Sequence, residues 1–190
     1  LTKKLPSKKV SRTILKLREN QNILLLMPAS RPQELKYILP TFLKTAKKLQ
    51  LRYPSLIVYI PSCRRNFDEK FRKGLEKYEI KGKVISQQDD AELIPYIYSL
   101  AKLALCKSGT VNMELALYGI PQIIGYKVSR VTAFIAKRIL NFKVRFISPV
   151  NLLMKKFIIP EFVQKNFIEE KIFYKACRLL DLTSEKAKIK

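Results

Sequence analysis

Short apolar runs spaced between helical patterns decide what this chain can become. Ile23-Leu24-Leu25-Leu26-Met27, Leu56 to Ile60 and Leu103 to Cys106 are continuous apolar segments of strand length. Continuity, in place of alternation, is what a parallel strand covered on both faces carries. Two shorter strands are predicted at Lys83 to Ser86 and Gln122 to Tyr126. A long helix from about Gln33 to Leu51 buries Leu35, Leu39, Phe42, Leu43, Ala46 and Leu49. Phe67, Phe71, Leu75 and Tyr78 define another, which Gly82 closes, and Pro61 ends the strand before it. Asp89-Asp90 caps a helix holding Leu93, Ile94, Ile97 and Leu100. Val131, Phe134, Ile135 and Ile139 define a further helix, Phe146 to Leu153 is irregular around Pro149, and Ile158 to Glu161 leads to a last helix with Ile168, Ile172, Ala176, Leu179 and Leu180. Strands alternating with helices call for an α/β fold, a Rossmann-like, doubly wound parallel sheet with right-handed crossovers. Residues 1–20, basic and with Val10, Ile14 and Leu17 at helical spacing after Pro6, read as a lead-in helix or linker, and residues 21–190 as the domain.

With 190 residues, 47% of them hydrophobic and 28% charged, the chain can bury one full core. It contains no His, which excludes a Ser-His triad, a Cys-His dyad and a His-based metal site within it. Cys63, Cys106 and Cys177 are odd in number and far apart, against both a disulfide framework and a Cys-based zinc site. No apolar run approaches the roughly 18 residues of a membrane span. There is no signal-peptide pattern, and a first residue other than Met leads us to expect a fragment. The net charge of +23 favours anionic surroundings: nucleic acid, phosphorylated ligands or an anionic membrane face. The lysines are spread over the whole chain, however, and abundant Lys, Ile, Phe, Tyr and Asn with few Gly is also the bias of an AT-rich genome.

The stretch from Leu103 to Pro121 carries the chemistry. A strand end is followed by the small-residue turn Ser108-Gly109-Thr110, a helix from Val111 to Leu117, the C′ glycine Gly119 and Pro121. The first amides of a helix lack internal partners and sit at the positive end of its dipole. Gly109 lets a phosphate approach the backbone, and Ser108 and Thr110 add hydroxyls. Glu114, one turn further in, suits ribose hydroxyls better than phosphate. The competing reading is a Ser/Thr-capped crossover helix with a solvated glutamate. Ser30 and Arg31 also follow a strand directly, so both loops face the crevice beyond the strand ends. The Arg31 guanidinium, flanked by Pro28 and Pro32, can grip two phosphate oxygens.

Four segments then carry a family likeness. Leu26-Met27-Pro28-Ala29-Ser30-Arg31-Pro32-Gln33-Glu34-Leu35 resembles the "LLPGSRxxEI" segment of lipid-A-disaccharide synthases, and Ser108 to Leu117 resembles their "SGTxxLExxL". Pro121 to Lys127 is similar to their "PmvvxYk" strand. Pro149-Val150-Asn151-Leu152-Leu153 with Ile159-Pro160-Glu161-Phe162-Val163-Gln164 is similar to their "PNLL…vPEllQ". The order covers Ile23 to Gln164, and the cyanobacterial and plastid-type branch is the nearest in pattern. The resemblance implies the C-terminal, UDP-sugar-binding domain of a metal-independent inverting glycosyltransferase of the GT-B type, with no cofactor. By that resemblance Ser30, Arg31, Ser108, Gly109 and Thr110 meet the diphosphate and Glu114 holds the ribose. Asn151, Glu161 and Gln164 shape the donor pocket. The implied reaction joins UDP-2,3-diacylglucosamine to 2,3-diacylglucosamine 1-phosphate. Acceptor site and general base are expected on an N-terminal domain that this chain lacks, so the chain alone is expected to bind donor without turnover. Ala29 stands where the family has Gly, adding a methyl group near the phosphate.

The expected setting is cytoplasmic and peripheral at the inner membrane face, or a plastid, with an anionic membrane surface as partner and a homodimer left open. The rival readings are a basic nucleic-acid-binding module and a sugar-nucleotide scaffold without catalysis. The aromatics mostly fit buried stripes and no RNA-binding signature is present, so no specific nucleic acid is expected.

Overall fold

The computed structural model describes residues 4–129 and 145–188. Helix α1 (Lys8–Leu15) leads into β1 (Asn22–Met27), α2 (Pro32–Arg52), β2 (Leu56–Ser62), α3 (Arg65–Lys77) and β3 (Gly82–Ser86). A 3-10 turn (Ala91–Leu93) and α4 (Ile94–Leu100) follow, then β4 (Ala101–Lys107), α5 (Val111–Leu117) and β5 (Gln122–Tyr126). The chain continues with α6 (Pro149–Met154), β6 (Glu161–Val163) and α7 (Glu169–Lys188). The predicted helix holding Val131, Phe134, Ile135 and Ile139 lies outside the described residues.

The six strands form one parallel sheet in the order β3-β2-β1-β4-β5-β6. Alternate residues of each central strand enter different layers. Leu24, Leu26, Leu103 and Leu105 face α2, α3 and α7, whereas Ile23, Leu25, Ala104 and Cys106 face α1, α4 and α5. Both faces are therefore covered, which is why these strands read as unbroken apolar runs. The chain leaves β1 towards β2 on one side and returns at β4 on the other. The crevice beyond the ends of β1 and β4 is thus the topological switch point of the sheet.

The buried stripe of α2 is the expected one, with Ile38 and Thr45 added. Pro40 is tolerated inside it on the exposed side, where the missing N–H leaves a carbonyl to water. Five local expectations are corrected. Pro61 lies inside β2, paired with Ile85 of β3 but beyond the last β1 pair, Leu25 with Tyr59, so no N–H is required on that side. Gly82 is the first residue of β3; α3 is closed by Glu79, at φ 48°, with Ile80 N–H donating to the Leu75 carbonyl. Asp89 and Asp90 are not side-chain caps: Asp90 makes no capping bond and Asp89 pairs with Arg65. Phe146 to Leu153 is not irregular throughout, because Pro149 stands in the first turn of α6, where its fixed φ favours the helix, and Ser148 caps it. Ile158 to Glu161 does not lead straight into a helix, since β6 adds a sixth strand there. In α1, Val10 and Ile14 are exposed; Ser11 and Leu15 are buried instead. The short Ser11 side chain lets α1 sit close to α4, where the Ser99 hydroxyl donates to it at 2.6 Å.

Gly125 fixes how β5 meets the layer above it. Phe42 and Phe167 stack edge to face over it, with centroids 5.3 Å apart. A Cβ at Gly125 would fall 2.1 Å from Phe167 Cε2 and 2.8 Å from Phe42 Cζ, so any side chain there displaces the pair. Gly125→Ala is expected to lower unfolding free energy by about 2–3 kcal/mol through overpacking. Chemical denaturation against wild type measures it. Gly109→Ala, where a Cβ would meet only the end of Lys107 at 3.5 Å, is expected to be far milder.

Candidate functional site

A hollow of about 510 Å³ opens at the switch point. Ser30 and Ala29 form one wall, after β1, and Lys107, Gly109 and Thr110 form the other, after β4. Glu114 and Tyr98 line it from α5 and α4, and Cys63 and Gln87 from the loops after β2 and β3.

The two loops are tied by a carboxylate. Glu34, in the first turn of α2, accepts from the Ser30 N–H at 2.7 Å and the Arg31 N–H at 3.0 Å. Its other oxygen accepts from Lys107 Nζ at 3.2 Å, and both side chains are largely buried, 13% and 17% exposed. An acidic group at this point of a helix satisfies first-turn amides and complements the dipole. With the Ser30 hydroxyl, which donates at 3.4 Å, four donors around one carboxylate also offset its desolvation. Neither Glu34 nor Lys107 was singled out from the sequence. The available signals were a Glu three residues after Arg31, the spacing of a capping carboxylate, and a Lys immediately after a strand.

The turn between β4 and α5 is built from behind by Asn112, which is fully buried. Its Oδ1 accepts from the Gly109 N–H at 2.8 Å, and its Nδ2 donates to the Lys107 carbonyl at 3.2 Å. Gln122 donates to the Asn112 carbonyl at 2.9 Å, locking the turn to β5. Beneath it, burial pushes the Cys106 thiol up to about 12, so this cysteine is a neutral core residue. The N–H groups of Thr110 and Val111 have no acceptor among the described residues and lie at the wall of the hollow. The space in front of Gly109 is open, apart from Lys107 at its edge. The protein's own packing does not require glycine there.

Glu114 is an exposed helical residue on the wall of the hollow. Tyr98 beside it is almost wholly buried. Burial first, then the Glu114 charge and a hydrogen bond to its carboxylate, push the Tyr98 hydroxyl up, so it stays neutral.

Of the residues proposed from sequence, Ser30, Gly109, Thr110 and Glu114 line the hollow. Ser108 adjoins them, but its hydroxyl donates to the Ile147 carbonyl. Arg31 is exposed at the N-cap of α2 and does not line the hollow. Asn151, Glu161 and Gln164 do not line it either. Asn151 is fully buried: its Oδ1 accepts from Ile158 N–H at 2.9 Å and Ile159 N–H at 2.8 Å, and its Nδ2 donates to the Ile159 carbonyl and Glu161 at 2.7 Å each. Glu161 in turn accepts from the N–H groups of Ile147 and Ser148, at 2.8 and 2.9 Å. The pair therefore holds residues 147–148 against the Ser108 turn. Gln164, at φ 51°, turns the chain out of β6.

Comparison with known proteins agrees with the motifs. The chain is 48% identical to the lipid-A-disaccharide synthase of Prochlorococcus marinus (strain MIT 9313) over 93% of its length, covering 45% of that protein. It is 33% identical to that of Synechocystis sp. (strain ATCC 27184 / PCC 6803 / Kazusa) over its whole length, covering 47% of that protein. The chain thus spans a little under half the length of these curated relatives. Among solved structures it superposes on Escherichia coli ADP-heptose lps heptosyltransferase II with a TM-score of 0.65 at 10% identity, covering 97% of this chain and 54% of that one. The C-terminal CMP-Kdo binding domain of WaaA from Acinetobacter baumannii matches with a TM-score of 0.56 at 9% identity, covering 94% of this chain and 91% of that domain. These two show the fold. A family model of the lipid-A-disaccharide synthetase matches residues 1–190, and with the cyanobacterial relatives it establishes that the chain belongs to the lipid-A-disaccharide synthetase family.

Proposed function

We propose that this chain is the donor-binding half of a lipid-A-disaccharide synthase. It takes the UDP moiety of UDP-2,3-diacylglucosamine and presents the sugar for inverting transfer to 2,3-diacylglucosamine 1-phosphate. The observation that carries this reading is the hollow at the switch point, lined by a cation, by two residues whose amides have no acceptor among the described residues, and by the Glu114 carboxylate one turn further along α5. The diphosphate lies against Gly109, Thr110 and Val111, within reach of Lys107. The ribose lies toward Glu114, whose carboxylate accepts from its hydroxyls. Arg31, at the mouth, reaches the diphosphate from outside, and Ser30 lines the opposite wall. Ser108, Asn151 and Glu161 act by fixing the backbone of the turn, and Gln164 by turning the chain at the rim.

As the glycosidic bond breaks, negative charge grows on the departing UDP. Fixed donors aimed at that charge lower the barrier without needing to move. Lys107 and the amides of Thr110 and Val111 fill this part. The acceptor site and the general base belong to the other half of the protein.

Calorimetry with UDP in the presence of EDTA is the direct test. Binding is expected without added metal, and no heat and no thermal shift at saturating UDP would sink the reading. Glu114→Ala is expected to weaken UDP about tenfold to a hundredfold, the loss of charge-assisted bonds of roughly 1.5–3 kcal/mol. Pyrophosphate should be insensitive to that change. Lys107→Met should show the opposite pattern, weakening pyrophosphate and UDP together while leaving uridine unaffected. Equal UDP affinity in wild type and Glu114→Ala, both folded, removes the ribose role.

The Glu34 clamp makes a separate stability prediction. Glu34→Ala strands two amides and a largely buried ammonium, and is expected to cost about 2–3 kcal/mol. In the Glu34→Ala/Lys107→Met pair the cost should be less than the sum by about 1 kcal/mol. A double-mutant cycle by urea denaturation reads it, and strict additivity would count against the clamp.

A further inference from the structure

Among the described residues, three buried side-chain atoms have no hydrogen-bond partner: the Tyr59 hydroxyl, one carboxylate oxygen of Asp68 and the Ser86 hydroxyl. Tyr59 belongs to the layer of α1, α4 and α5. The other two lie on the opposite face of the sheet, on elements that pack against each other.

Their placement follows from the two periodicities. Val84 packs in the layer of α2 and α3 and Ile85 in the other, so Ser86 faces α3 with Val84. Ile60 and Ser62 of β2 share that face, and Ser62 is registered with Ser86. A Cβ at Gly82, the first residue of β3, would fall 3.3 Å from Leu75, so α3 covers the start of this strand with Leu75. Asp68 stands about two turns before Leu75 on the same side of α3, about 10.5 Å along its axis. Ser86 lies about 13 Å along β3 from Gly82. The helix runs back along the strand, so Asp68 stands over its far end, at Ser62 and Ser86. All three side chains are deeply buried, at 1% exposed for Ser62 and 6% for Asp68 and Ser86.

The chemistry of the cluster is that of oxygen ligands. Ser62 donates its hydroxyl proton to the Arg64 carbonyl at 3.0 Å, which leaves its lone pairs to accept. Asp68 forms no ion pair among the described residues: Arg65 pairs with Asp89, and Arg64 stacks over Phe67. A carboxylate taken out of water is costly without a counter-charge. Three oxygens on adjoining positions that form no hydrogen bond with one another are spaced as ligands around a common guest.

We propose that Asp68, Ser86 and Ser62 form a site for a monovalent cation, sodium or potassium. Hard cations take oxygen ligands of these kinds. One carboxylate and two neutral hydroxyls carry a single negative charge, which a monovalent ion brings to zero. A divalent ion would bury an excess positive charge in a chain whose net charge is already +23. The ion is structural and takes no part in bond breaking. The Ser86 carbonyl accepts from the Asp89 and Asp90 N–H groups at 3.2 and 2.7 Å, and Gln87 N–H donates to the Ser62 carbonyl at 2.9 Å. The two serines that hold the ion thus also anchor the loop whose Gln87 lines the hollow, and the Arg65–Asp89 pair ties that loop to α3.

The test compares the 190-residue chain in sodium, potassium and choline chloride at equal ionic strength, without nucleotide, so that its outcome is independent of donor binding. Sodium or potassium is expected to raise the thermal midpoint by a few degrees over choline, saturably and with no effect of EDTA. At about ten times the half-saturating concentration, hydrogen exchange at the Asp89 and Asp90 amides should slow about tenfold. Asp68→Asn keeps the shape and removes the charge, and is expected to abolish both effects. Ser86→Ala should raise the half-saturating concentration about tenfold, and it carries the test if Asp68→Asn does not fold. Equal midpoints and exchange rates in the three salts would overturn the proposal and assign the cluster to water. So would a cation effect that persists undiminished in either variant.

Discussion

The Glu34 carboxylate is the contact on which the mouth of this domain depends. It closes the β1–α2 loop by accepting from Ser30 and Arg31, and it reaches across the switch point to Lys107 at the end of β4. Two loops that belong to different halves of the sheet thereby share one charged centre. A carboxylate removed this far from water needs its lone pairs met by good donors, and here backbone and ammonium meet them together. Under the proposed function the arrangement also sets where positive charge stands before any ligand arrives. Lys107 is held at the edge of the hollow, beside the open space in front of Gly109, instead of sampling solvent.

The sheet makes that placement reliable. Both faces are covered by helices, so β1 and β4 cannot slip by one residue without exchanging their two apolar layers. Register at the strand ends then fixes where the loops begin. Leu26 lies opposite Leu105 and Met27 opposite Cys106, so the next residues on each strand, Pro28 and Lys107, open the crevice together. On the far side of the same sheet, the edge-to-face pair of Phe42 and Phe167 closes over Gly125, joining α2 and the segment before α7 to β5. Asn112 and Gln122 couple that strand back to the β4–α5 turn.

What the sequence disclosed, and what it hid, follows from range. The central strands were legible because double burial writes itself as an apolar run, and the α2 stripe because helical periodicity does the same. β6 was not: Glu161, Phe162 and Val163 are all half-buried at the edge of the sheet and carry no such signature. α6 was hidden because Pro149 reads as a breaker, although the first turn of a helix is where it fits best. Of the residues that line the hollow, Ser30, Gly109 and Thr110 in the loops and Glu114 on α5 were legible from local spacing. Lys107 and Glu34 were not, since their bond joins positions 73 residues apart and each alone looks like a solvated charge. Asn151 and Glu161 came from the motif they resemble, and their hydrogen bonds explain what such a motif protects: the backbone of residues 147–148 and 158–159, which the neighbouring turn leans on.

The same bonds bear on how labour is divided in the proposed reaction. A general base needs a lone pair that is free to take a proton at the acceptor hydroxyl. Glu34 is engaged by four donors, two amides, the Ser30 hydroxyl and an ammonium. Glu114, the carboxylate that lines the hollow, lies beside Tyr98 and stands where the ribose belongs in this reading. Tyr98 itself is kept neutral by burial and by the adjacent negative charge, which makes it a donor and a poor base. The remaining charge of the hollow is positive. Under the proposed function a site so furnished is suited to stabilise a leaving diphosphate and orient a sugar. In this reading proton removal falls to the other half of the protein, which gives a physical reason for the proposed reaction to be shared between two halves.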